Sequence, residues 1–127
     1  MKEIIKTKEA AAPIGPYNQA VLVNGFLYTS GQIALDPETG TFQPGSIEDE
    51  TKRVMQNLNA ILKAAKLEFG DIIKSTIYIS DMDNFSKINA VYGSYFNDET
   101  APARETVQVA RLPKDANVEI SIIAYKA

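Results

Sequence analysis

The chain has 127 residues, with 13 Lys plus Arg against 16 Asp plus Glu, a net charge of −3, and no His, Cys or Trp. That length fits one domain over residues 1–127 with a hydrophobic core of its own. Without His or Cys there is no thiolate nucleophile, disulfide, Cys/His zinc site or imidazole base, so acid–base chemistry falls to Asp, Glu, Tyr, Lys or a held water.

The acidic balance argues against a nucleic-acid footprint. The acidic residues follow no EF-hand-like spacing, so no metal is expected. The N-terminal stretch lacks an apolar segment of signal-peptide length, and no window approaches a membrane span. A soluble, cytoplasmic protein is the expectation.

In chain order, Lys2 to Thr7 is a short β-capable start. Pro13 and Pro16 bracket Ile14-Gly15, a stiff turn that delivers Tyr17. Ala20–Val23 and Phe26–Thr29 flank Asn24-Gly25, the signature of a hairpin with a type I′ turn. Ser30-Gly31-Gln32-Ile33 follows, its glycine marking a bulge or a close backbone approach. Asp36 to Gly45 reads as a loop. Ser46 then caps a helix running to about Lys66, with Ile47, Val54, Leu58, Ile61, Leu62 and Ala65 on one face.

Ile72 to Ser80 is a β-branched strand. Asp81 or Asp83 caps a second helix, striped by Phe85, Ile88, Val91, Tyr92, Tyr95 and Phe96. Arg104 to Ala110 is a strand expected to point Val107 and Val109 into the core. Leu112 to Asn117 is a loop and Val118 to Tyr125 the last strand. The order β-β-β-α-β-α-β-β defines an α/β (α+β) mixed sheet with two helices on one face. In the last strand Val118, Ile120, Ile122 and Ala124 point one way, and Glu119, Ser121, Ile123 and Tyr125 the other. That second, mixed face reads as an oligomer surface.

Among residues that can carry chemistry, Arg104 is a candidate carboxylate clamp through two parallel hydrogen bonds, against the plainer reading of a surface or interface ion pair. Glu119 lies inside the most apolar strand. Lost solvation there raises a carboxyl pKa and fits it to handle a water; the plainer reading makes it a partner for Arg104 or another cation. Tyr17 and Ser30 can hydrogen-bond a small ligand or serve structure alone. Asn89 sits beside the second helix's apolar stripe, where its amide must find partners.

Three stretches together resemble the RidA (YjgF-type) family over essentially the whole chain. They are Ala12-Pro-Ile-Gly-Pro-Tyr17-Asn-Gln, then Tyr28-Thr-Ser-Gly-Gln-Ile33. The third runs from Ala101-Pro-Ala-Arg104 through Val107-Gln-Val-Ala-Arg-Leu-Pro-Lys-Asp to Val118-Glu119-Ile. The segment Ile88-Asn89-Ala-Val-Tyr-Gly-Ser-Tyr-Phe also fits. The resemblance implies a chorismate-mutase-like fold and a homotrimer with pockets at the subunit clefts. The implied activity is a cofactor-free deaminase acting on 2-iminobutanoate and 2-iminopropanoate. Arg104 would bind the carboxylate of the imino or keto acid and Glu119 would activate water. Tyr17, Ser30, Gly31, Asn89 and Thr106 would line or support the pocket. Active relatives commonly carry Ser-Cys where this chain has Glu105-Thr106; by alternation Glu105 points away from Arg104. A non-catalytic trimer that senses a small carboxylate is the competing function.

Overall fold

The computed structural model describes residues 1–127. Six strands and two helices follow one another as β1 (Glu3–Ile5), β2 (Ala20–Val23), β3 (Phe26–Thr29), α1 (Ile47–Ala64), β4 (Ile72–Ile79), α2 (Phe85–Gly93), β5 (Ala103–Gln108) and β6 (Val118–Tyr125). They form one mixed sheet in the order β1-β2-β3-β6-β4-β5. Every neighbouring pair is antiparallel except β4 and β5, which run parallel.

Local chemistry explains the elements. Asn24 and Gly25 both take positive φ, 50° and 83°, as a type I′ turn demands. The Ser46 side chain accepts from the Asp49 backbone N–H at 3.0 Å, and Glu48, Asp49 and Glu50 place negative charge at the N-terminus of α1. The helix stops where Lys66 turns left-handed at φ 62° and the Leu67 N–H returns to the Leu62 carbonyl at 2.8 Å. The apolar faces of both helices cover one side of the sheet. Val54, Leu58, Ile61, Leu62 and Ile88 meet Ile77, Ile79, Val118, Ile120 and Ile122 there in one core.

Three expectations need correction. The Arg104 strand is an exposed edge beginning at Ala103, so Val107 is 42% exposed on the side away from the helices. Val109 lies beyond its end, packed against a small cluster of Ile33, Leu112 and Ala116. The second helix ends at Gly93. Tyr95 and Phe96 follow it in tight turns and stack with Phe69 and Tyr92. Asp81 caps a single 3₁₀ turn, Met82–Asn84, which feeds α2; α2 itself has no side-chain cap.

Glu50, on α1, is fully buried. Its carboxylate accepts from the Asn117 backbone N–H at 2.7 Å and from Asn117 Nδ2 at 2.8 Å. Asn117 also accepts the Ser80 N–H at its carbonyl, 3.1 Å. One buried acid thus ties α1, the end of β4 and the start of β6 together. Glu50→Ala leaves two donors unpaired and should lower the unfolding free energy by about 3 kcal/mol in urea titration. A loss below about 0.5 kcal/mol would show that the anchor does not hold β6.

Candidate carboxylate site

Two clusters of side chains stand apart in the protomer. The first gathers around Arg104 on the helix side of the edge strand. Arg104 is in register with Ser75 of β4. Its Nη1 donates to Asn89 Oδ1 at 2.6 Å. The guanidinium carbon lies 5.2 Å from the Tyr92 ring centroid and 5.7 Å from that of Phe85. Phe85, Asn89 and Tyr92 recur at i, i+4 and i+7, so one face of α2 builds the whole cradle. The Tyr92 hydroxyl donates to Ser75 Oγ at 2.8 Å. Burial raises the Tyr92 pKa, while the Ser75 bond and the Arg104 charge pull it back.

Arg104 has no carboxylate within 4.0 Å, and its only protein hydrogen bond is the one to Asn89. Within its own chain Arg104 therefore forms no ion pair. Glu105 points away, as alternation requires, and is held by Lys74 at 2.7 Å. The remaining guanidinium donors stay free for an incoming anion. Thr106 faces the same side as Arg104, and its Oγ1 is buried without a partner.

The second cluster surrounds Glu119 on the opposite face. Glu119 pairs with Tyr78 of β4, which pairs with Val107 of β5. Arg104 and Glu119 are thus on opposite faces of one sheet and are not partners within a chain. Glu119 lies flat against Gly31. A Cβ on Gly31 would sit 2.6 Å from Glu119 Oε2 and 2.9 Å from its Cγ, so glycine is what lets the carboxylate lie there. Burial alone drives the Glu119 pKa up from its ordinary value.

Tyr17 and Gly31 join Glu119 in lining a cleft of about 330 Å³, with Ile14, Gln19 and Lys114 also on its walls. Ser30 does not line it. Its Oγ donates to the Asn18 carbonyl at 2.6 Å and its N–H to the Gln19 carbonyl at 2.9 Å, so it fixes the segment that carries Tyr17.

The support of Arg104 by Phe85 and Tyr92 was not expected from the sequence, although their spacing with Asn89 is visible there. Lys114 lies within a quoted stretch but had no expected role, and its left-handed φ of 58° has no local signature. No group of three or more acidic side chains comes close enough to hold a metal ion.

A cradled arginine without a carboxylate partner thus lies on one face of the sheet and a desolvated glutamate on the other. The family model described as Endoribonuclease L-PSP matches residues 7–126. A RutC family protein of Pyrococcus horikoshii is 51% identical over 126 residues, 99% of each chain. A 2-iminobutanoate/2-iminopropanoate deaminase of Mus musculus is 44% identical over 126 residues, 99% of this chain and 93% of that one. Among solved structures, Escherichia coli TdcF with bound serine matches with a TM-score of 0.91 and 44% identity, covering 98% of this chain and 99% of that one. The E. coli YjgF gene product matches with the same TM-score and 41% identity, over 98% and 99%. The chain belongs to the YjgF/RidA family.

Because Glu119 holds its proton more tightly in the folded chain than in the unfolded one, its contribution to stability is present at low pH. It is lost as pH rises from the ordinary carboxylate value through the raised one. Glu119→Gln, which cannot ionise, should therefore match the parent's urea midpoint near pH 4 and exceed it at pH 7. An identical midpoint at both pH values would contradict the desolvated carboxylate.

Proposed function

We propose that the protein hydrolyses reactive 2-imino and 2-enamino acids, chiefly 2-iminobutanoate and 2-iminopropanoate, to 2-keto acids and ammonia in the cytoplasm. One observation carries this reading. Arg104 has free donors and no acidic partner, whereas Glu119 is a carboxyl destabilised as an anion. The first suits a substrate carboxylate and the second suits a proton-accepting base for water.

Since the two groups occupy opposite faces, a single chain cannot bring both to one four-carbon molecule. We therefore put the working site between copies, the Arg104 edge of one against the Glu119 face of the next. Such a contact joins two different surfaces, and heterologous contacts that close make rings. Three copies is the number the family resemblance implies. Tyr28, Val107 and Tyr125, all more than 40% exposed on the helix-free face, offer the apolar surface such an assembly buries.

In this site the substrate carboxylate takes two parallel N–H bonds from Arg104, which orients C2 toward Glu119 across the cleft. Ionised Glu119 accepts a proton from water as the water oxygen bonds to C2 and the C=N π electrons move to nitrogen. The product is a carbinolamine. Glu119 returns the proton to nitrogen. It then accepts the hydroxyl proton as the C–N bond breaks, which forms the keto group and expels ammonia; ammonia takes that proton and leaves as ammonium, restoring the carboxylate. The protonated imine is already a strong electrophile, so positioning and charge supply the acceleration. A ribonuclease reading has less support: the chain offers no imidazole pair and a net charge of −3.

The test follows decay of freshly generated 2-iminobutanoate with and without protein. Arg104→Ala should lower kcat/KM about 100-fold. Glu119→Gln should keep 2-oxobutanoate binding while losing turnover. Decay unaffected by the parent protein, or parental turnover in Arg104→Ala, would overturn the proposal.

A further inference from the structure

Tyr17, Ala12 and Gln19 line the Glu119 cleft and also a second, neighbouring cleft of about 730 Å³. Lys6 and Lys8 stand on its walls, with Pro13 and Pro37 as stiff apolar sides. No acidic side chain lines it, in a chain where acids outnumber bases. The protein's two salt bridges involve Lys74 and Arg111, so neither Lys6 nor Lys8 has a carboxylate within 4.0 Å.

The floor of this cleft is fixed. Gln19 is 3% exposed, and its side chain bonds to the backbone of the lysine segment on both sides. Oε1 accepts from the Thr7 N–H at 2.8 Å. Nε2 donates to the Thr7, Ala10 and Ala11 carbonyls at 3.0, 3.3 and 2.8 Å. The stretch that carries Lys6 and Lys8 is thereby pinned against the Tyr17 segment, and Ser30 pins that segment in turn. The two ammonium groups ride on ordered backbone rather than on a loose terminus.

A four-carbon imino acid engages Arg104 and Glu119 and has nothing to offer two lysines beyond Tyr17. A substrate with a longer side chain ending in a second anion does. We infer that the site accepts imino acids with acidic side chains, the distal carboxylate passing Tyr17 to lie between Lys6 and Lys8. This rests on the deaminase reading for the reacting end of the molecule and on the second cleft for the other. Exposed ammonium groups favour an anion modestly and in a salt-dependent way, so the effect is a preference rather than an absolute requirement.

The test compares calorimetric binding of 2-oxoglutarate and 2-oxobutanoate, the keto acids of the two substrate classes, to the full chain at low salt. The dicarboxylate should bind about ten-fold more tightly. The preference should vanish in the double variant Lys6→Gln/Lys8→Gln and persist in Lys6→Arg/Lys8→Arg. Turnover of 2-iminobutanoate should be unchanged in both. Equal affinities in the parent, or a preference that survives Lys6→Gln/Lys8→Gln, would overturn the inference. The two readings fail differently. If no imine decays faster yet the lysine-dependent preference is present, the deaminase reading falls and the acidic-ligand site stands. If 2-iminobutanoate turns over without any such preference, the deaminase stands and this inference falls.

Discussion

Strand β6 is paired on both edges, to β3 on one side and β4 on the other, and it alternates between two environments. Val118, Ile120, Ile122 and Ala124 are all at or below 3% exposure under the helices. Each large one contributes about 1.5–3 kcal/mol by burial, which locks the register. A slip of one residue would put Glu119 into that core and turn the isoleucines out. The register that stabilises the fold is therefore also what presents Glu119 on the helix-free face. The buried Glu50–Asn117 contact pins the strand's first residues and holds its start against α1 and β4.

The surrounding structure constrains both groups proposed to act, in different ways. Glu119 loses solvation against Gly31, and no cation in its own chain relieves it. Arg104 is exposed and leaves most of its donors without a protein partner, while two aromatic rings and Asn89 restrict where it points. A salt bridge between them would quench both, making the carboxylate a weaker base and the guanidinium a poorer anion receptor. Placing them on opposite faces of the sheet prevents that within a chain. Lys74 engages Glu105, the acidic residue next to Arg104, and so holds it away from the proposed clamp.

Much of this was legible in the chain. The Asn24-Gly25 hairpin, the Ser46 cap, the alternation of β6 and the isolation of Glu119 are local patterns with local causes. Most of what was not legible depends on pairing across long sequence separations. Nothing near Val107 says that its strand is an edge, since that depends on which strand sits beyond β4. Glu50 and Asn117 lie 67 residues apart, and neither stands out in its own segment. The separation of Arg104 and Glu119 onto two faces needed the registers of β4 with β5 and with β6 together. The end of α2 at Gly93 was hidden because Tyr95 and Phe96 keep the helical spacing while packing from turns.

A site assembled from two subunits makes a prediction that a site within one chain does not. Chains carrying Arg104→Ala and chains carrying Glu119→Gln are each inactive in this account. Unfolded together and refolded at equal concentration, they form rings in which some interfaces join an intact Arg104 to an intact Glu119. Random mixing makes about one interface in four intact, so imine hydrolysis should return to about a quarter of the parent's rate. Recovery at that level would establish that the two residues act across a subunit boundary. A mixture as inactive as its components, with mixed rings verified by mass spectrometry, would contradict the shared site.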